Sequence, residues 1–559
     1  MRINRKVLVV ENEDTWINVA TQLLTAAGYY VKTAKDFESA INLLNTELFH
    51  IALVDLELAG GPPGNYYGIS VLEEIHKRFP DCYRLIYTVH GQDAPIKIIE
   101  SLTIPKMTAQ GCFLKNVSPN QEILNFVNNM WDVYIKINHT LDIIPHGFDL
   151  DKLLKEKFLN KDENGGKLEI LRESFLSVVA RLFYGDNEMK ELIIEPFKKG
   201  YSQTILFKVT AKSTLLKNRP GKQVIIKFGL KDTILKESNN FDKYVQWYLT
   251  LNQTTQKISV KCFNNYAAIL FTFAGDLPEN IFTFTDYLNE NPDIKNKKSD
   301  IDFDLSTEKC IQSMFSDSVS RREWYHPEVI EKKQFIGDYY ISVLDRPSHQ
   351  LNEEFFEKQI LKSDKAKMNL KNNKSKLIFT DINYEVLNPL NFCQNIPFAD
   401  EYSTCIIHGD LNGDNIVVSS EGNFYLIDYA HTGRGHVFQD FINLELSIRD
   451  AIFWRRNIHF TFQEILDFEK SIIDRFDYSD TDNLDNNTDE KIKYITKANH
   501  LIRLIRKQAI LNFPDEPQKL YLVGLFYMAL DWITYHKKIE QKRHIILLTG
   551  LLAEKLEVS

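Results

Sequence analysis

Between Lys6 and Leu114, short apolar runs alternate with amphipathic segments, and that order leaves few folds open. Lys6 to Val10 is an apolar run, followed by a helical pattern with Trp16, Val19, Leu23 and Leu24 on one face. Tyr30-Val31, a helix near 37–46 and the run Ile51 to Val54 come next. A helix from about Ile69 to His76, the run Arg84 to Tyr87, a helix near 95–103 and the run Cys112 to Leu114 complete the series. Strand then helix, repeated, predicts an α/β doubly wound parallel sheet with helices on both faces.

In such sheets ligands bind beyond the carboxyl ends of the strands. Glu11, Asn12 and Glu13 follow the first strand, Asp55 the third, Thr88 the fourth and Lys115 the fifth. A carboxylate among groups able to hold Mg²⁺, with a hydroxyl and an ammonium nearby, suits acceptance of a phosphoryl group by Asp55. Val-Val-Glu-Asn-Glu, Leu-Val-Asp-Leu, Tyr-Thr and Leu-Lys together resemble the receiver domain of two-component response regulators over about 120 residues. The resemblance implies a flavodoxin-like fold, Asp55 as phosphoacceptor, and Glu11, Asn12 and Asp55 as Mg²⁺ ligands. Thr88 and Lys115 are implied as the switch pair, and an upstream histidine kinase or other phosphodonor as partner. The chain departs from the family at Asn12, where a second acid is usual, at Cys112, at Asn116 after the lysine, and in a Gly-Gly-Pro-Pro-Gly-Asn insertion beside the site. An amide is a weaker Mg²⁺ ligand than a carboxylate. Two readings stand: a phosphorylated receiver, and a receiver kept as a docking module.

Ile123, Phe126, Val127, Met130, Val133, Tyr134 and Ile137 recur at helical spacing, which closes a domain at 1–137. Pro145 and Gly147 mark a break, and Leu168 to Phe183 reads as an amphipathic helix, so 138–190 is expected to be a helical connector.

Residues 408 to 415 read His-Gly-Asp-Leu-Asn-Gly-Asp-Asn, and Asp428 follows in Tyr-Leu-Ile-Asp-Tyr. Ile416 to Val418 and Phe424 to Ile427 are short apolar runs around the turn 419–423, so an antiparallel hairpin brings Asn415 and Asp428 side by side. A carboxylate to orient a hydroxyl and an Asn/Asp pair to hold Mg²⁺ are the parts phosphoryl transfer needs. Order and spacing resemble the aminoglycoside-phosphotransferase-like branch of the protein-kinase-like superfamily. The resemblance implies Asp410 as catalytic base, His408 as a brace of the loop, and Asn415 and Asp428 as metal ligands.

Upstream, Lys227 lies inside the apolar run Gln223-Val-Ile-Ile-Lys-Phe-Gly, and Glu237 opens a helix with Phe241, Tyr244 and Val245. A lysine in an apolar strand needs a partner. The pair resembles the phosphate-gripping lysine and steadying glutamate of kinase-like enzymes. A turn with Gly200 and Ser202 could lay backbone N–H groups over phosphates. Tyr266 to Phe273, before Ala274-Gly275, reads as the last strand before a hinge. The expectation is a bilobal α+β protein-kinase-like domain, with a small lobe at 191–275 and a large lobe at 276–559. Arg434 is a candidate phosphate or substrate contact, Asp440 a support for the loop, and Trp324, Tyr325 and His326 either core or substrate contacts.

At 559 residues the chain exceeds one ordinary domain, and 44% hydrophobic with 26% charged residues suits globular domains. A net charge of −9 argues against a general nucleic-acid partner. No run is long enough to span a bilayer, and six scattered cysteines without metal-ligand spacing fit a reducing compartment, so a cytoplasmic location is expected. The leading reading is a receiver fused to an ATP- and Mg²⁺-dependent phosphotransferase acting on a small-molecule or protein hydroxyl. Its rival is a non-catalytic nucleotide-binding signalling or scaffold protein whose receiver is used for docking.

Overall fold

The computed structural model describes the chain except residues 60–65, 90–94, 104–107, 119, 161–164, 187–188, 198–203, 214–220, 250–253, 273–281, 291–302, 317–323, 326–334, 345–366, 372–373, 396–397, 419–422, 455–457, 478–488, 537 and 559. It forms two compact units: Met1–Ser238 with Gln256–Phe273, and Asn239–Thr255 with Ala274–Ser559.

The first unit starts with five parallel strands, β1 (Lys6–Val10), β2 (Tyr30–Ala34), β3 (Ile51–Val54), β4 (Tyr83–Thr88) and β5 (Gly111–Leu114). Their order is β2-β1-β3-β4-β5. Helices α1 (Asp14–Ala26), α2 (Phe37–Leu44), α3 (Tyr67–Arg78), α4 (Pro95–Leu102) and α5 (Asn120–Met130) alternate with them. Every residue of β1 and β3 is buried, as expected of central strands covered on both faces. The α5 stripe does not run on as a long helix: a π-helical turn, Trp131–Ile135, follows, and Lys136 stops it in the left-handed region at φ 52°.

The segment 138–190, expected as a connector, is built into a second sheet. Asp142–Pro145 is strand β6, Leu150–Phe158 is α6 and Gly165–Leu182 is α7. Strands β7 (Met189–Pro196), β8 (Thr204–Ser213), β9 (Lys222–Leu230), β10 (Lys257–Phe263) and β11 (Tyr266–Thr272) follow, with helix α8 (Lys231–Asn240) after β9. The order is β10-β11-β9-β8-β7-β6. All neighbours are antiparallel except β6, which lies parallel to β7.

Helix α7 lies between the two sheets. Phe175 meets Phe207 and Phe228 of the second sheet. Facing the first sheet, Ser177 contacts His50, Glu173 pairs with Lys6, and Arg181 donates to Asp81 at 3.1 Å. Asp81 also accepts from the Asn264 N–H at 2.7 Å, which ties the β10–β11 turn to the start of β4. One hydrophobic core therefore runs from Ile3 to Leu270. The receiver's contact with its neighbour lies at the amino ends of the strands, opposite Asp55.

The second unit has strands β12 (Phe282–Thr283), β13 (Met368–Lys371), β14 (Lys376–Phe379), β15 (Tyr384–Leu387), β16 (Thr404–Ile407), β17 (Ile416–Val418), β18 (Phe424–Leu426) and β19 (Gly433–His436). They form sheets β12-β17-β18, β13-β14-β15 and β16-β19. Its helices are α9 (Phe284–Leu288), α10 (Phe303–Ser316), α11 (Ile336–Leu344), α12 (Pro389–Asn395), α13 (Gln439–Trp454), α14 (Phe462–Ile472), α15 (Glu490–Asn512), α16 (Gln518–Tyr535) and α17 (Ile539–Val558). Helix α13 is buried from Gln439 to Phe453 and packs against α15 and α16.

Burying a whole helix that contains Glu445 and Arg449 requires partners. Arg449 and Arg506 both donate to Glu445 at 2.7 Å, Tyr521 donates to it at 2.7 Å, and Arg449 donates to Glu469 at 3.1 Å. The two arginines hold the Glu445 carboxyl down at about 2 against the opposing pull of burial. His544 Nδ1 accepts from Trp454 at 3.0 Å, and its Nε2 meets Glu469 at 2.7 Å, the pattern of a neutral ring protonated at Nε2. Two carboxylates and two guanidiniums thus cancel inside the core.

Candidate functional sites

The first site gathers the strand ends of the five-stranded sheet. Backbone bonds set its register: Asp55 N–H to Val10, Lys115 N–H to Thr88 and Glu11 N–H to Ala34. Glu11, Asp55, Thr88 and Lys115 are all buried. Lys115 Nζ pairs with Asp55 Oδ2 at 2.6 Å and with Glu11. Asp55 Oδ1 accepts the Leu56 N–H at 2.7 Å. Burial pushes the Glu11 carboxyl up despite the lysine. Trp16 and Tyr87 present their rings to the Lys115 ammonium at 5.7 and 5.3 Å; the sequence reading assigned neither to the site, although Tyr87 adjoins Thr88. Asn12 is exposed. Glu11, Asp55 and Asn12 are oxygen donors of the type Mg²⁺ takes, and Lys115 already supplies positive charge to both carboxylates.

The second site is the loop 408–415. The approach strand β16 pairs with β19, and the hairpin β17–β18 pairs Ile416 with Leu426. Asn415, just before β17, and Asp428, just after β18, therefore stand at the same end of that hairpin, and the Ile427 N–H donates to the Asn415 carbonyl. Asn415 turns its amide nitrogen to Asp410, donating to Oδ2 at 3.1 Å and to the carbonyl at 2.8 Å. Asn412 donates to the other oxygen, Oδ1, at 3.0 Å. Desolvation, then the charge of Asp428, pushes the Asp410 carboxyl to about 7. Asp428 itself takes the left-handed conformation at φ 68°.

Helix α13 holds this loop from below. Asp440 accepts the N–H of His408 at 2.7 Å and of Gly409 at 2.9 Å, one on each carboxylate oxygen. Burial raises its carboxyl to about 6. Gln439 and Asn443 donate to the Gly409 carbonyl at 3.2 and 3.4 Å, and Ser447 accepts the Gly413 N–H at 2.8 Å. His408 Nε2 meets the Ile427 carbonyl at 3.0 Å, and Thr432 donates to the His408 carbonyl. Gly409 is needed as glycine, because its φ is +81° and a Cβ would overlap the His431 carbonyl. Gln439, Asn443 and Ser447 escaped the sequence reading; their signal is a polar row at 439, 440, 443 and 447 at helical spacing.

Lys227, in the first unit, lies on β9 between Leu206 and Ile269 of the flanking strands. Its Nζ pairs with Glu237 at 2.6 Å, both side chains being buried. Glu237 falls at the end of the second turn of α8 instead of opening the helix. Gly200 and Ser202, the Ala274-Gly275 hinge, the 60–65 insertion and His326 lie outside the described residues. Trp324 and Tyr325 are core: Trp324 donates to the Tyr244 carbonyl at 2.6 Å, and Tyr325 donates to Asp440 at 3.1 Å. Arg434 is exposed on β19.

Among the described residues, no group of three or more His, Cys, Asp or Glu side chains is arranged to hold a metal. The 408–428 site nonetheless suits Mg²⁺. Asn415 commits its amide nitrogen to Asp410, which leaves Oδ1 as a hard donor. The Asp428 charge that disturbs Asp410 is one a cation would offset. One carboxylate plus an amide is a sufficient protein share for an ion that keeps waters and phosphate oxygens.

A family model described as the response regulator receiver domain matches residues 7–127. With the β2-β1-β3-β4-β5 sheet and its strand-end residues, residues 7–127 form a response regulator receiver domain, a module of phosphorelay signalling. A second family model, described as Ternary complex associated domain 9, matches residues 379–533, a span that takes in the 408–428 site and all of α13. Similar solved structures include a CheY-like receiver domain protein from Methanospirillum hungatei JF-1, 22% identical, covering 23% of this chain and 94% of that one, with a TM-score of 0.20. A response regulator from Thermotoga maritima is 20% identical, covering 23% of this chain and 98% of that one, with a TM-score of 0.20. No curated protein matches the chain. No helix among the described residues is long and apolar enough to cross a membrane.

Proposed function

We propose that the chain is a receiver-regulated, ATP-dependent phosphotransferase of the protein-kinase-like fold, acting on a hydroxyl acceptor. The observation that carries this reading is the braced 408–415 loop. It presents one carboxylate, Asp410, fixed by two amides beside Asn415 and Asp428, with its backbone pinned by a buried aspartate. The buried Lys227–Glu237 pair supports it independently.

In this reading Asp410 orients the acceptor hydroxyl and takes its proton as the oxygen attacks the γ-phosphorus in line, while the bond from that phosphorus to the β,γ-bridging oxygen breaks and ADP leaves. A carboxyl placed near 7 is matched to that task at neutral pH. Asn412 and Asn415 hold it in one orientation, and Asp440 prevents the loop from drifting. Asn415 and Asp428 would hold Mg²⁺, whose charge would spread over the phosphate oxygens. Lys227, held straight by Glu237, would grip the α- and β-phosphates. At Asp55, transfer from a histidine kinase or small phosphodonor would add charge beside Lys115.

A second reading, a nucleotide-binding scaffold whose receiver serves docking, draws on two observations. The family matched at 379–533 is described by its association in a ternary complex, and Asn12 stands exposed where a second acid is usual. Thermal unfolding with ATP and Mg²⁺, followed by transfer of labelled γ-phosphate into lysate, separates the two. The enzyme reading expects a Mg²⁺-dependent rise in melting temperature that Asp428→Ala removes, and a labelled product that Asp410→Asn abolishes. Stabilisation without any product supports the scaffold, and an unchanged melting curve at saturating nucleotide overturns both.

A further inference from the structure

Helix α8 ends at Asn240, a residue of the second unit. Its side chain reaches the backbone just past Asp428. The amide nitrogen, Nδ2, donates to the Tyr429 carbonyl at 3.1 Å and to the Ala430 carbonyl at 3.1 Å. A primary amide carries two N–H groups, one for each carbonyl.

These bonds fall where the backbone needs support. Asp428 sits at φ 68° and ψ 74°, a left-handed conformation that a residue with a Cβ adopts at a cost. Such a conformation persists only where its surroundings fix it. On the amino side, the Ile427 N–H donates to the Asn415 carbonyl at 3.1 Å. On the carboxyl side, Tyr429–His431 forms a single 3₁₀ turn, and the Thr432 N–H donates to the Tyr429 carbonyl at 3.2 Å. The buried Tyr429 side chain is anchored separately. Its ring meets Phe241 at 5.6 Å, and its hydroxyl donates to the Leu426 carbonyl at 2.6 Å. That anchor places the ring. Asn240 instead grips two successive peptides of the turn, so the backbone of Asp428 is held from both sides.

We propose that Asn240 is a positioning residue. By holding the turn that follows Asp428, it keeps the Asp428 carboxylate where it can share a cation with Asn415. The inference rests on the reading of Asn415 and Asp428 as the Mg²⁺ pair. It adds a residue that acts on the pair through the backbone and touches neither metal nor nucleotide.

Thermal unfolding of the full chain at saturating ATP, titrated with Mg²⁺, tests this in wild type, Asn240→Asp and Asn240→Ala. Asn240→Asp keeps the shape of the side chain but has no N–H to give. Asn240→Ala removes the donors without adding charge, and melting curves without ligand check that each variant folds. In both variants the Mg²⁺ concentration for the half-maximal rise in melting temperature is expected to increase about tenfold, as for loss of about one net hydrogen bond. Stabilisation by ATP in EDTA is expected to stay at the wild-type level. A role in fold stability alone would lower the ligand-free melting temperature and leave the Mg²⁺ midpoint unchanged. An unchanged midpoint, or an equal loss of ATP stabilisation in EDTA, overturns the proposal. The metal pair then still stands if Asp428→Ala removes the Mg²⁺-dependent rise. A wild type with no Mg²⁺-dependent rise overturns both.

Discussion

Asp55 and Asp410 each stand just past the end of a buried strand, yet their surroundings differ in one respect. Asp55 shares a buried lysine with Glu11, so the receiver site carries its own countercharge. Asp410 is held by neutral amides, beside a second carboxylate, over a third that is spent on backbone N–H groups. The receiver site meets its two carboxylates with one buried ammonium, whereas Asp410 neighbours amides and further carboxylates. If the proposed metal-bound nucleotide is the ligand of the 408–428 loop, its cation would offset the charge that Asp428 brings to Asp410.

The largest effect expected from this contrast is at Lys115. Lys115→Met leaves two buried carboxylates unpaired and costs about 3–5 kcal/mol in denaturant unfolding. Asp428→Asn in the other site removes a like charge, so stability holds or rises, and the Asp410 carboxyl moves down from about 7 toward 3.8, readable by NMR titration. A neutral Lys115→Met would break the comparison at once.

Next in size is Gly409→Ala, expected to cost more than about 1 kcal/mol because it forces both a left-handed alanine and an overlap with the His431 carbonyl. Gly433→Ala, with open space around its Cβ, serves as the control.

The pH profile sharpens the contrast further. Asp410 titrates near 7 against an ordinary 3.8, so the folded chain binds the extra proton between those values. That stability is present at low pH and is lost as pH rises through 7, with an upper bound of about 1.4 kcal/mol per pH unit, reduced by solvent screening. His50 and His436 act the other way: burial holds both near 3 against 6.5, so their contribution is present above 6.5 and is lost as pH falls toward 3. Asp428→Asn should flatten the first slope and leave the second; if both slopes are unchanged, Asp428 is not the charge that disturbs Asp410.

The smallest effect on stability belongs to Asn12→Asp. The position is exposed, and a change within about 0.5 kcal/mol is expected. Acyl-phosphate labelling at Asp55 should nonetheless speed up, because a carboxylate binds Mg²⁺ more strongly than an amide. Equal labelling rates would mean that Asn12 is not a metal ligand.

The parts of the molecule readable in the sequence are those with local signatures. Short continuous apolar runs around a turn located the β17–β18 hairpin, and four typed residues at strand ends pointed to the receiver domain. The parts that were not readable depend on distant partners. Pro145 and Gly147 looked like a break, yet Ile143 and Ile144 pair with β7 some fifty residues on. Glu173, Ser174 and Ser177 made α7 look half-solvated, whereas all three are buried against another layer. Glu445 and Arg449, four apart on a helix, have the look of a surface ion pair, and only Arg506 and Glu469 from other helices show it to be internal.

Helix α7 also bears on the order in which the chain can fold. Its receiver-facing partners, Lys6, His50 and Asp81, are all synthesised before it. Its other side must wait for β10 and β11, where Arg181 meets the Cys262 carbonyl and the Phe263 ring. During synthesis the receiver can therefore capture the helix while about eighty further residues are still to be added. Its Phe175 side stays open to chaperones, or to wrong partners, until β8 and β9 supply Phe207 and Phe228. A nascent chain halted between Leu182 and Lys257 should accordingly be protected from protease over the receiver and susceptible beyond it.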